Sequence, residues 1–382
     1  MNPMPPSHRP PSNRYNVVFR ADASIDIGTG HIMRCLTLAD MLTEAGFECR
    51  FICRAHTGNL SGLIRQRGFA VSELQPEPEG DTGNERDLPH SHWLRVDWQK
   101  DARQTIAAIG DAPVDWLIVD HYALDIRWER FLRSSTRYLM VLDDLADREH
   151  DCDLLLDQSL GRASNDYRPL VPTHCQILVG ARFALLRPQF ALKRSYSLAR
   201  RRQGVPRRLL VTLGGVDREN VTERVLCALE QCALPNATEI TVVMGQHAPW
   251  ADAVRERAAQ LPWKTTVMSN VNDMAGLMSD ADLAIGAAGS TSWERCALGV
   301  PTILMVLAEN QREVAQKLAI EGAAKVVELG TDFDSRLGRI VESLIWNKMA
   351  LDGMSERAAA ICDGEGGLEV ARQIAYRLGS RV

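Results

Sequence analysis

The chain has 382 residues, which is long for one hydrophobic core and suits two domains. A hydrophobic fraction of 45% and a charged fraction of 24% are those of an ordinary globular protein, and a formal net charge of −5 argues against a nucleic-acid binder. No apolar run approaches the roughly 18 residues that a membrane helix needs, so no membrane partner is expected.

Residues 1–14 are proline-rich, lack an apolar h-region and read as a disordered lead rather than a signal peptide, which predicts a cytoplasmic protein. Tyr15–Phe19 is then an apolar run ending at a polar turn. Ile32, Cys35, Leu36, Leu38, Ala39 and Leu42 follow with the spacing of a helix packed on one face. Gly46 stops that helix, and Phe47–Cys53 reads as the next strand. Gln75–His92, interrupted by Pro76, Pro78, Gly80, Gly83 and Pro89, predicts a long surface loop. Further strands are predicted at Trp116–Val119, Tyr138–Leu142 and Leu154–Leu156.

The arginines at 200, 201, 202, 207 and 208, with Gly204 and Pro206 among them, predict a solvated interdomain linker. A second series opens with strand Leu209–Leu213 and a helix from about Asp217 to Cys232. Strands at Ile240–Met244, Leu283–Ile285 and Thr302–Val306 alternate with helical stretches such as Ala275–Met278 and Ser292–Leu298. The expected fold class is therefore α/β, two Rossmann-like domains facing across a cleft, spanning residues 15–200 and 201–382. Ligands of such sheets bind beyond the carboxyl ends of the strands at the switch point, which makes the cleft the default site. Nine cysteines without a CxxC pair read as small core residues in a reducing compartment.

Three clusters fall where a strand gives way to a helix. The first is Gly28-Thr29-Gly30-His31, neither a GxGxxG, since Met33 holds the third glycine position, nor a Walker loop. His31 falls in the first helical turn, where the positive end of the dipole disfavours an imidazolium; it reads either as a general base or as a cap. The second, Gly214-Gly215-Val216-Asp217, fits a phosphate turn or a plain αβ turn. The third runs from Gly286 through Gly289, Ser290 and Thr291 to Glu294, an acid placed to accept from two ribose hydroxyls. Asp143, Asp144, Asp147 and His150, or His90 and His92, are the alternative candidates for a metal site, but acids after a strand are more often caps and turn formers. No GxSxG elbow is present.

These segments carry a resemblance. Phe19–Ser24, Ile27–Ala39, Val119-Asp120-His121-Tyr122, Asp143-Asp144, Cys152–Asp157, Ala184–Pro188, Gly214–Asp217, Gly286–Gly299 and Ala308–Gln311 together resemble the pseudaminic-acid pathway UDP-sugar hydrolases. Those enzymes cleave UDP-2,4-diacetamido-2,4,6-trideoxy-β-L-altropyranose. The resemblance implies a glycosyltransferase-B-like fold, related to the lipid-II N-acetylglucosaminyltransferase. It implies hydrolysis without metal or cofactor by inverting attack of water at the anomeric carbon. It implies His31 as the base, with Tyr122 and Asn310 catalytic. Asp22, Gly28, Gly30, Arg34, His121 and Gln311 are expected to contact substrate. Gly214, Gly215, Asp217, Gly289, Ser290 and Thr291 are expected to hold UDP, with Glu294 on its ribose. Phe183 stands where the family more often has tyrosine, and the Gln75–His92 loop is longer than usual. The expected assembly is a monomer. Two rival classes are a glycosyltransferase of the same fold, which needs an acceptor groove, and a nucleotide-sugar binding protein without activity. The latter leaves Gly-Thr-Gly-His and Asp-His-Tyr without a role.

Overall fold

The computed structural model describes residues 15–75, 88–214, 217–245 and 248–380, with only the backbone of Asn310. The expected N-terminal lead and most of the expected Gln75–His92 loop lie outside the described residues.

Two all-parallel sheets carry the chain. The first contains β1 (Asn16–Ala21), β2 (Glu48–Arg54), β3 (Ala70–Leu74), β4 (Val114–Asp120), β5 (Thr136–Leu142), β6 (Leu154–Asp157) and β7 (Gln176–Val179). Their order is β3-β2-β1-β4-β5-β6-β7. The second contains β8 (Arg208–Thr212), β9 (Glu239–Met244), β10 (Lys264–Ser269), β11 (Leu283–Ala287), β12 (Thr302–Met305) and β13 (Ala324–Val327) in the order β10-β9-β8-β11-β12-β13. Each is doubly wound, with its order reversing beside its first strand: between β1 and β4 in one and between β8 and β11 in the other. Both expected Rossmann-like halves are present. Central strands such as Leu117-Ile118-Val119 and Leu209-Leu210-Val211 are unbroken apolar runs because helices cover both of their faces.

The chain divides into two compact units. The first comprises the residues through Leu156, Ser164–Ile177 and the chain from Ala371 onward; the second comprises Asp157–Ala163 and Leu178–Val370. The last helical turns thus belong with the first sheet, although the sequence places them with the second. Trp116 Nε1 donates to the Ile374 carbonyl at 3.2 Å and Tyr15 Oη to that of Leu378 at 2.9 Å.

Two local expectations are overturned. Arg200, Arg201 and Arg202 are not in a solvated linker but in the last turn of the helix Pro188–Gln203. The buried Arg201 guanidinium donates to the carbonyls of Ala281, at 2.9 Å, and Leu298, so it closes the ends of neighbouring segments. Burial lowers its pKa to about 10, and Arg200 adds to that shift. The polar turn expected after Phe19 is instead the end of β1. Arg20, fully buried, pairs with Asp22 at 2.7 Å and with Asp101 at 2.7 Å, while Arg54 meets Asp101 at 2.6 Å. Among the described residues, no helix is long and apolar enough to cross a membrane.

Candidate active site

The switch point of the first sheet gathers one chemical cluster. β1 leads through a turn into the helix Gly30–Glu44, and β4 ends at Asp120 beside it. Gly28 turns the chain at φ +82°, a conformation that strains any side chain, with its N–H on the Ser24 carbonyl at 2.9 Å. His31 lands in the first helical turn, as expected. Its Nδ1 lies 2.6 Å from Asp120 Oδ1, and a carboxylate can only accept. In its neutral form the imidazole carries its proton on Nδ1 and presents the Nε2 lone pair, the tautomer that a base needs.

Arg34, one turn on, holds Asp120 from the other side. Its Nε donates to Oδ2 at 2.6 Å and its Nη2 to Oδ1 at 2.7 Å. Burial pushes the Asp120 carboxyl up, but Arg34 and then His31 outweigh it and hold the group well below the usual carboxylate range. Arg34 Nη1 continues to Asp144 Oδ2 at 2.5 Å, and the Tyr122 hydroxyl donates to the same oxygen at 2.7 Å. His31, Asp120, Arg34, Asp144 and Tyr122 thus form one chain of hydrogen bonds. Tyr122 also packs edge-on to the His31 ring, at 4.7 Å between centroids and 83°.

Three expected contact residues turn inward instead. Asp22 is fully buried and accepts from Arg20 and, at 2.6 Å, from the Arg54 amide. His121 Nδ1 accepts the Ala123 amide at 3.1 Å, and its Nε2 lies 3.2 Å from Asp22. Burial lowers the His121 pKa despite that carboxylate, leaving a neutral ring that braces the loop. Arg34 spends its guanidinium on the two aspartates.

The acids weighed as metal ligands point at cations or hydroxyls. Asp143 meets Arg148 at 2.8 Å and Tyr167 Oη at 2.9 Å, and His150 meets Glu129 at 2.6 Å. Among the described residues, no group of three or more His, Cys, Asp or Glu side chains could hold a metal ion.

The second sheet repeats the placement. β8 leads through Leu213 to Gly214, with φ +100°, and β11 runs into Ala288-Gly289-Ser290 before the helix Thr291–Ala297. Gly215 lies outside the described residues. Asp217 is a cap: its two oxygens accept the amides of Val221 at 2.8 Å and Thr222 at 2.9 Å. Arg295 reaches back to the Ala287 carbonyl at 2.7 Å and the Ser292 hydroxyl at 3.1 Å, fixing the small-residue loop. A Cβ on Gly286 would lie 2.5 Å from Arg295 Nη1 and 3.0 Å from the Thr212 carbonyl, so only glycine fits that approach. Gly289 has open space around it, and Ser290 is exposed.

Glu294, one turn into the helix, lies 3.8 Å from Arg187. Burial raises its carboxyl pKa, and Arg187 and Arg295 only partly offset that shift. Asn310 and Gln311 lie in the short turn Glu309–Gln311 after β12, where Gln311 Oε1 accepts the Leu307 amide at 3.0 Å. Phe183 is buried.

Sequence reasoning missed Asp120, Asp144 as a partner of Tyr122, Arg187 and Arg295. Asp120 had a signal: an acid closing the apolar run Trp116–Val119 beside the turn that carries His31.

Comparisons with known proteins bear out the resemblance carried by the motifs. The model of the glycosyltransferase family 28 C-terminal domain matches residues 208–364. The UDP-2,4-diacetamido-2,4,6-trideoxy-beta-L-altropyranose hydrolase of Campylobacter jejuni is 25% identical over 307 residues, covering 80% of this chain and 97% of that protein. The spore coat polysaccharide biosynthesis protein SpsG of Bacillus subtilis is 34% identical over 164 residues, covering 43% of this chain and 47% of its own. Among solved structures, MurG of Acinetobacter baumannii superposes with a TM-score of 0.71 at 18% identity, covering 94% of this chain and 99% of that one. The fold is glycosyltransferase-B-like.

Proposed function

We propose that the chain is a UDP-sugar hydrolase in which water attacks the anomeric carbon with inversion, and that its substrate is a UDP-linked diacetamido-trideoxy hexose. The observation that carries this reading is the His31–Asp120 contact at 2.6 Å, which leaves Nε2 as a directed base. His31 Nε2 takes a proton from water as its oxygen bonds to the anomeric carbon. The bond from that carbon to the phosphate oxygen breaks, and its electron pair leaves with UDP. Asp120 stabilises the imidazolium that forms, and Tyr122, braced by Asp144, lines the sugar side in the first unit. In the second unit Gly214, Gly289, Ser290 and Thr291 take the diphosphate and Glu294 the ribose. Donors at a helix start stabilise the departing charge without a metal. Hydrolysis of such a substrate by the Campylobacter relative, with 97% of that protein covered, supports the substrate class.

The family 28 domain matched over residues 208–364 favours a second reading, transfer of the sugar to an acceptor by the same two units. Incubation with the UDP-sugar alone separates the two. Hydrolysis gives stoichiometric free UDP and free sugar without acceptor; a transferase leaves the nucleotide-sugar intact.

A further inference from the structure

The described residues that follow the long insertion put an aromatic wall against the base. Leu88–His90 turn into the short helix Ser91–Trp93, held by the Trp93 amide on the His90 carbonyl at 2.9 Å. Leu94 and Val96 anchor the segment in the core. Trp93, left half-buried, lies over Tyr122 at 5.7 Å and 26°, and edge-on to His31 at 6.2 Å and 73°. His90 closes the cluster at 4.5 Å from Trp93 and 5.5 Å from Tyr122. Trp116, Trp128, Trp250 and Trp346 each donate their indole N–H to a carbonyl or carboxylate. Among the described residues Trp93, Trp98, Trp263 and Trp293 form no such bond, and of these only Trp93 packs its ring against His31 and Tyr122.

We propose that Trp93, stacked on Tyr122 beside His31, is a specificity-determining wall that receives an apolar group of the sugar, an acetamido methyl or a deoxy C6 methyl. The proposal rests on the UDP-sugar reading. The hydrogen-bonding neighbours of His31 are Asp120 and Arg34, both charged, and they offer a methyl group nothing. Aromatic faces favour carbon-rich surface, and a hydrophobic wall discriminates one methyl from a hydroxymethyl by about 10- to 200-fold at most. The wall therefore selects deoxy and acetamido sugars over common hexoses while leaving the nucleotide untouched.

Calorimetric titration in a His31→Asn background, which slows turnover by about 10²–10⁴, tests this with UDP, UDP-glucose and UDP-2,4-diacetamido-2,4,6-trideoxy-β-L-altropyranose. Adding Trp93→Ala should weaken the diacetamido ligand about tenfold or more, leave UDP within about twofold, and shrink the preference over UDP-glucose. Trp93→Phe, which keeps a ring, should restore most of that preference. Unchanged affinity for the diacetamido ligand, or equal losses for it and for UDP, would overturn the proposal. Because no turnover is read, absence of UDP release by the wild-type protein sinks the hydrolase reading separately.

Discussion

Asp120 touches no substrate in this account, yet it sets what His31 can do. Replacing His31 by Asn should lower kcat by about 10²–10⁴, the usual worth of a positioned base, with UDP affinity nearly unchanged. Asp120→Asn is the more discriminating variant. An asparagine amide can donate to Nδ1, which moves the ring proton to Nε2 and leaves no lone pair for water, so a loss of up to about 10⁴ is expected. An Asp120→Asn enzyme with wild-type turnover in stopped UDP-release assays would reduce His31 to a helix cap. Glu294 yields a pH prediction of known sign. Its folded carboxyl is raised by burial above the unfolded value of about 4.3, so rising pH ionises the unfolded chain first and stability is lost from there upward. Glu294→Gln should raise the urea midpoint at pH 7 and lose that advantage at pH 4, while weakening UDP binding. Equal midpoints at pH 7 would contradict the buried carboxylate. His31 and Glu294 were legible because each follows a glycine-rich turn. Asp120 and Arg187 were not, because their roles come from neighbours far along the chain.

Elements were legible in proportion to their burial. Strands covered on both faces are continuous apolar runs and were found at β1, β2, β4, β5, β6, β8, β9, β11 and β12. The four edge strands β3, β7, β10 and β13 were missed, since an edge strand needs no such run; Lys264–Ser269 alternates exposed and half-buried residues. The helix Pro188–Gln203 was hidden by its arginines, whose charge reads as solvent exposure until Arg201 is seen bonded to buried carbonyls. Arg201→Ala leaves the Ala281 and Leu298 carbonyls without that donor and should cost about 2–4 kcal/mol in urea unfolding. Arg202→Ala, an exposed neighbour, should cost less than about 0.5 kcal/mol. Equal effects would restore the solvated-linker interpretation.

At the scale of the whole molecule, each sheet places its glycine-rich turn and its acid at its own switch point, one with His31 and the other with an open backbone loop. The division of labour we propose is water and sugar in the first unit, nucleotide in the second. Since the phosphates are assigned to backbone and hydroxyl donors, dialysis against EDTA should leave turnover intact; loss of activity restored by magnesium or manganese would bring Asp143 and Asp144 back as ligands. The central claim is that the bond broken is the one between the anomeric carbon and oxygen, and turnover in ¹⁸O-water read by mass spectrometry tests it most directly. The account predicts label in the released sugar and none in UDP, with the inverted anomer in early NMR spectra. Label in the UDP phosphate would place the attack at phosphorus and contradict it.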